Sequence, residues 1–212
     1  MKTCQNETMS PQLRTPTLEG THVRLQALGL HHINDLTAAA QENRDTYGYT
    51  AVPENTSQTT EMVDHLLGEG SKGQCVPFAQ VATKSGRAVG VTRYLTIRSV
   101  TGAAPPYAVE IGGTWLAGSA QHTSINTEAK LLLFTHAFET WEVARVDLKT
   151  DSRNERSRAA ILRLGATFEG VLRQWQPSYV AGEESLFRDT AMYSVVSAQW
   201  PGVHRRLEDL LQ

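Results

Sequence analysis

Residues 110–128 read EIGGTWLAGSAQHTSINTE, and the order of events in this stretch decides the fold. An apolar, β-branched run carrying two adjacent glycines passes into a small polar loop. That loop opens directly into an amphipathic helix, TEAKLLLFTHAFETW, over 127–141. A strand–loop–helix junction leaves backbone N–H groups without intrahelical partners at the positive end of the helix dipole. Such a junction is a seat for a phosphate or pyrophosphate, and Glu110 sets a carboxylate a few residues upstream. The plainer alternative is an ordinary capped connection, because the Ser, Thr and Asn residues of 118–127 also suit a helix N-terminus. Neither G-x-x-x-x-G-K-[ST] nor G-x-G-x-x-G occurs here, so this is not a Walker loop or a dinucleotide fingerprint.

Working outward, periodicity predicts strands at 23–28, 76–83, 88–97 and 107–116. The second and third flank a hairpin turn at Lys84-Ser85-Gly86-Arg87, and Gly112-Gly113 marks a bulge in the fourth. Helices are predicted at 32–43 and 59–68, separated by a loop around Tyr47-Gly48-Tyr49. Beyond the 127–141 helix come a strand at 144–150 and a helix at 151–164 that Gly165 stops. Strands at 167–175 and 188–196 then flank a loop at 176–187. Pro201 opens a last helix ending at Leu211. Strands before and after paired helices make an α/β layered sheet, partly antiparallel and partly parallel.

At 212 residues, and with no repeat or linker to divide it, the chain reads as one domain over 18–212 behind a polar, disordered lead-in at 1–17. A net charge of −2 with no basic stripe argues against nucleic acid as a general partner. No apolar run is longer than Leu131 to Phe134, which is too short to span a membrane, and the first 17 residues lack the apolar core of a secretion signal. Cys4 and Cys75 cannot make a disulfide framework, which fits a reducing, cytoplasmic setting. His31 and His32 have no metal-ligand spacing with another His or Cys and read as helix-start residues, so no metal is expected. Cys75, next to Val76-Pro77 and away from the loop, gives little support to a covalent acyl-cysteine.

A second element, Asn154-Glu155-Arg156-Ser157 followed by Leu164-Gly165-Ala166, changes the weight of the first. Together with LEGTHVRLQAL at 18–28, RDTAMYSVV at 188–196 and WPGVHRRLEDLL at 200–211, the chain resembles the GNAT superfamily of N-acetyltransferases. The ribosomal-protein alanine N-acetyltransferase (Rim) type is the nearest likeness. The resemblance implies a GNAT fold, an α/β (α+β layered) architecture. Its central mixed, mostly antiparallel sheet would be splayed at a β-bulge, with helices on both faces. It also implies acetyl transfer from acetyl-coenzyme A to a primary amine by direct attack.

The superfamily's coenzyme loop runs Arg or Gln, two residues, Gly, one residue, Gly or Ala. Here it reads Gln121-His122-Thr123-Ser124-Ile125-Asn126, followed by Thr127. Both small positions are replaced. Asn126 enters left-handed backbone readily and Ser124 does so less readily, but the amide donors survive either substitution. The likeness further implies that Trp115, Leu116 and Ala117 border the pantetheine arm, which would lie between the strands at 109–116 and 144–150. An amide near Trp115 or Leu116 would polarise the thioester carbonyl as an oxyanion hole does.

Asn154 corresponds to a residue that hydrogen-bonds pantetheine. Glu110 corresponds to the general base, and Ser157 to a serine able to protonate the leaving thiolate. Many members place a tyrosine acid seven residues beyond that Asn; here Ile161 closes that route, leaving Ser157 or water. Arg153, Arg156, Arg158 and Arg163 crowd one short helix and attract phosphates or make a solvated face.

The acceptor amine is either a protein N-terminus, such as that of a ribosomal protein, or a small molecule such as an antibiotic. An open groove with acidic lining would favour the former and a closed aromatic pocket the latter. Tyr47, Tyr49, Arg93, Tyr94, Trp175 and Tyr179 are candidate acceptor contacts. A non-catalytic acyl-coenzyme A binding module is the rival from another class, and a homodimer is compatible with the sequence.

Overall fold

The computed structural model describes Leu13, residues 17–100 and residues 105–212. The lead-in read at 1–17 lies almost wholly outside the described residues. Strands β1 (Leu18–Glu19), β2 (Val23–Ala27), β3 (Cys75–Ala82), β4 (Ala88–Arg98), β5 (Ala108–Leu116), β6 (Arg145–Asp151), β7 (Thr167–Pro177) and β8 (Phe187–Val196) form one sheet. Its order is β1-β2-β3-β4-β5-β6-β8-β7, antiparallel throughout except for the β5–β6 pair. The expected mixed, mostly antiparallel sheet is therefore present. Among the described residues no helix is long and apolar enough to cross a membrane.

Helices cover both faces. Strand alternation sends Val76 and Phe78 of β3 to one side and Cys75, Ala79 and Val81 to the other. Helices α1 (Ile33–Gln41) and α2 (Thr56–Ser71) lie on the second side, where Leu36, Val63 and Leu66 complete a core with Val91 and Trp115. Helices α3 (Ser124–Thr135), α4 (Glu155–Arg163) and α5 (Trp200–Asp209) contribute Leu133, Phe134, Ile161 and Leu207 to the first. A buried side chain such as Leu133 or Phe134 contributes about 1.5–3 kcal/mol.

Several boundaries differ from the sequence reading. α3 begins at Ser124 rather than 127, because Thr123 caps it by accepting the Ile125 N–H at 3.3 Å. Its α-helical part ends at Thr135, and the remaining residues to Thr140 form a π-helical turn. α4 starts at Glu155, not 151, because the Asn154 side chain accepts the Ser157 N–H at 3.0 Å. α2 is longer than predicted, and β1 was not foreseen at two residues' length.

The sheet divides at β5. It pairs with β6 only through Ala108–Glu110 against Arg145–Asp147, after which the two strands part. On its other edge Trp115 faces Val91 while Gly112 faces Arg93, so β5 carries one extra residue. Gly113 takes it up with φ 58°, a conformation in which a side chain is strained. A Cβ there would also stand 2.6 Å from the Arg93 guanidinium carbon. This bulge lies beyond the last paired residues and turns the free end of β5 away from β6.

Candidate active site

The wedge between β5 and β6 opens into a cavity of about 1120 Å³. At its apex sits Glu110, buried to 3% exposure. Its Oε2 accepts from Thr96 Oγ1 at 3.0 Å and pairs with Lys149 Nζ at 3.0 Å. Thr96 is in place because β4 also bulges: four residues, Leu95 to Arg98, face three of β5, Ala108 to Glu110, and Thr96 adopts φ 49°. Oε1 lies toward Gly112, 2.9 Å from where a Cβ would stand. One carboxylate oxygen is thus held by a hydroxyl and an ammonium, and the other has no hydrogen-bond partner among the described residues.

At the mouth stands the α3 N-terminus. Gln121, His122, Thr123, Ser124, Asn126 and Thr127 all line the cavity. Ser124 and Asn126 occupy the first helical turn with no positive φ, and the left-handed residue is His122 at φ 59°. No positive φ is needed at either position, so neither replacement of a small residue strains the backbone. The Gln121 side chain donates to Leu116 O at 3.0 Å and Thr46 Oγ1 at 2.9 Å, while Ser119 N–H donates to Glu42 Oε2 at 2.7 Å. Arg156 Nη2 donates to Thr46 O, tying α4 to the same segment.

Two expected coenzyme contacts fall elsewhere. Ala117 is fully buried and its amide donates to Val89 O at 2.7 Å, which leaves it no donor for a ligand. Ile125 turns away and packs against both cores. Trp115 and Leu116 do line the cavity. Since the Ala117 amide points to β4, alternation turns the Leu116 amide away from β4 and toward the wedge. Asn154 and Ser157 also line it, on the side of α3 and α4. The Asn154 carbonyl oxygen is engaged in capping α4.

Of the acceptor candidates, Tyr47, Tyr49, Arg93 and Tyr179 border the cavity. Tyr94 does not: it is fully buried on the α3 face, its hydroxyl donating to Leu133 O at 2.6 Å. Trp175 is 54% exposed on the edge strand β7, outside the cavity. His31 and His32, their ring centroids 3.8 Å apart and tilted by 41°, lie in a short turn before α1, as helix-start residues. Cys75 lies under α2 with its thiol 3.6 Å from Leu66 O, where burial pushes its pKa up. Among the described residues no three His, Cys, Asp or Glu form a group able to hold a metal.

Sequence reasoning missed Lys149, Lys130 and Arg188. Lys130 Nζ reaches from α3 to Thr114 Oγ1 at 2.8 Å and Thr92 Oγ1 at 3.4 Å, and burial lowers its pKa to about 7. Arg188 is 8% exposed, beside the Tyr179 ring at 5.4 Å, and desolvation is the main cause lowering its pKa. The signal for Lys149 lay in register: it is the outward residue of β6 one pleat beyond Leu148. Nothing in the sequence singled out the other two, because both sit in segments that read as amphipathic. Among the described residues the lining is basic, with Glu110 its only carboxylate, so they form no acidic groove of the kind posed as the mark of a peptide acceptor.

A family model described as an acetyltransferase (GNAT) domain matches residues 22–167. A Bacillus subtilis (strain 168) protein, YdaF, provisionally named a ribosomal N-acetyltransferase, is 36% identical over 90 residues. That match covers 42% of this chain and 46% of the relative, so it spans under half of the relative's length. A crystal structure provisionally titled an acetyltransferase, from T. thermophilus, is 33% identical, covers 94% of this chain and 99% of its own, and has a TM-score of 0.78. A GCN5-related N-acetyltransferase from Brucella melitensis is 26% identical, with coverage of 98% and 90% and a TM-score of 0.80.

Proposed function

Because the chain belongs to the GNAT acetyltransferase family, we propose that it transfers acetyl from acetyl-coenzyme A to a primary amine by direct attack. The observation that carries this reading is the buried Glu110 at the apex of a wedge whose mouth is a helix N-terminus. Amides of the α3 first turn, with Gln121 to Thr127 around them, would hold the coenzyme's pyrophosphate. The cavity exceeds the roughly 300–1,000 Å³ of a usual ligand site, which leaves room for an acceptor beside the coenzyme. Acetyl-coenzyme A supplies the thioester.

Glu110 takes the proton of the attacking amine through Oε1, directly or by one water, while Thr96 and Lys149 fix Oε2. The Leu116 amide steadies the oxygen that becomes negative as the N–C bond forms. When the C–S bond breaks, Ser157 on the far wall protonates the sulfur. The B. subtilis relative's name supports a protein N-terminus as the acceptor, and the basic lining supports one without excess positive charge. An α-amine, with an ordinary pKa of about 7.7–8.0, needs less assistance than a lysine at about 10.4.

The test is Glu110→Gln, which preserves shape and removes the base. General-base assistance is worth about 10²–10⁴-fold, and a water chain replaces part of it, so turnover should fall at least about tenfold. The limb of the pH–rate profile that reports the base should move or vanish. Wild-type rate and profile in the variant would refute the assignment.

A further inference from the structure

The cavity has two electrostatic ends, and the sheet separates them. Val109 and Ile111 of β5, Val146 and Leu148 of β6, and Tyr193 and Val195 of β8 all pack into the α3 core. Alternation therefore sends Glu110, Lys149 and Arg188 to the opposite face, away from α4 and Ser157. Arg93 joins them, since its neighbour Tyr94 is in the α3 core. The coenzyme enters from the α3–α4 side, so this opposite face is where the acceptor approaches.

That end carries more positive charge than its own residues balance. Glu110 is paired with Lys149. Two other carboxylates of this region are already engaged: Asp151 receives Arg153 Nη2 at 2.8 Å, and Glu183 receives Arg153 Nη1 at 2.8 Å and the Ser178 hydroxyl at 2.6 Å. Arg188 has Asp151 and Glu110 near enough to favour its charge but is in contact with neither. More than nine-tenths buried, it lines the cavity, makes no ion pair among the described residues, and its Nε has no hydrogen-bond partner. The Tyr179 ring centroid lies 5.4 Å from the guanidinium carbon, and no side-chain nitrogen of Arg188 makes a hydrogen bond among the described residues. A buried guanidinium without partners is costly, and such a group is satisfied by a planar anion that accepts two parallel hydrogen bonds.

We propose that the acceptor carries a carboxylate within about one residue of its amine, and that Arg188 recognises it. This rests on the acetyltransferase reading above and names its substrate class. It disfavours polycationic amines, which Arg93 and Arg188 would repel. The carboxylate has two sources of the same chemistry. It is the side chain of an acidic residue next to a peptide N-terminus, or the terminal carboxylate of a very small amine.

The experiment uses acceptor pairs differing by one carboxylate and closely matched in amine pKa: hexapeptides beginning Ala-Asp against Ala-Asn, and Ala-Gly with a free carboxylate against Ala-Gly amide. Thiol release from acetyl-coenzyme A gives kcat/KM for each. In wild type the acidic member of one pair should lead by at least tenfold, and which pair does so identifies the source. Arg188→Gln should reduce that lead to within twofold while the acetyl-coenzyme A Kd stays unchanged; Arg188→Lys, which keeps the charge but not the fork, should keep part of it. Equal rates within both pairs in wild type, or an undiminished lead in Arg188→Gln, overturns the proposal. If no acceptor is acetylated, the acetyltransferase reading fails on its own. Calorimetric titration of the same pairs into coenzyme A-loaded protein then decides this one: tighter binding of the acidic member supports it, and equal binding overturns it.

Discussion

Replacing Lys130 by methionine tests a lysine that burial strips of its usual charge. Lys130 is 5% exposed and points from α3 into the sheet, where two threonine hydroxyls, and no carboxylate, receive it. Desolvation disfavours the ammonium and lowers the pKa from 10.5 to about 7. Between those values the unfolded chain binds the proton and the folded chain does not, so stability rises with pH. At about 1.36 kcal/mol per pH unit the full window is worth about 5 kcal/mol, lost as pH falls from 10.5 toward 7. Methionine removes the amine and keeps much of the volume, and Thr92 and Thr114 still hydrogen-bond each other at 2.8 Å. Urea unfolding of both proteins from pH 7.5 to 9 should show wild type gaining about 2 kcal/mol relative to Lys130→Met across that interval. Comparing the two cancels titrations common to both. Parallel curves would mean that Lys130 keeps its proton in the fold, and the desolvation argument would be refuted.

Ser157→Ala should lower kcat about tenfold with the acetyl-coenzyme A Kd nearly unchanged, because the hydroxyl acts on the leaving sulfur; an unchanged rate where chemistry is limiting assigns that proton to water. Saturating acetyl-coenzyme A, at a hundredfold excess over its Kd, should stabilise the protein by about 2.7 kcal/mol, a rise of roughly 5–10 °C in Tm for a chain of this size. No shift at millimolar ligand would remove the basis of the functional reading. Glu128→Ala should destabilise by about 3–5 kcal/mol in urea unfolding, since it orphans the amides of Thr21, His22 and Val23, which donate to its carboxylate at 2.6–2.8 Å. A loss below about 1 kcal/mol would show that water replaces the carboxylate there.

The junction at 110–128 was legible because it combines two local signals, a glycine-interrupted β run and a capped amphipathic start, that need no tertiary information. Glu110 followed from its place on that strand. What surrounds it did not: Lys149 and Thr96 reach it across β6 and a bulged β4, and the β4 bulge at 95–98 carries no glycine to mark it, unlike the one in β5. Ala117 and Ile125 were misread because neighbours in a loop sequence look equivalent, although one turns its amide to β4 and the other its side chain to the cores. Tyr94 was misread for a related reason. Parity along β4 puts Arg93 on the cavity side and Tyr94 in the core, and the strand's residues alone do not say which parity faces the wedge.

The chemistry proposed for this site depends on one distance, that between the amides at the α3 N-terminus and Glu110, and three side chains of α3 bear on it. Thr127 Oγ1 accepts from Arg163 Nη2 at 3.0 Å, joining α3 to α4. Glu128 accepts from the amides between β1 and β2, and Lys130 donates to hydroxyls of β4 and β5. Positions 127, 128 and 130 leave a helix in three directions, at about 100° per residue, so each contact restrains a different rotation or slide of its axis. The glutamate contact explains Gly20, where a Cβ would stand 2.5 Å from the carboxylate. Nothing in the 118–123 loop has to be stiff for the pyrophosphate seat to keep its place relative to the carboxylate. That is why serine and asparagine at the usual glycine positions, both in the first turn of α3, leave the amide donors in place: the helix, not backbone freedom in the loop, sets the geometry.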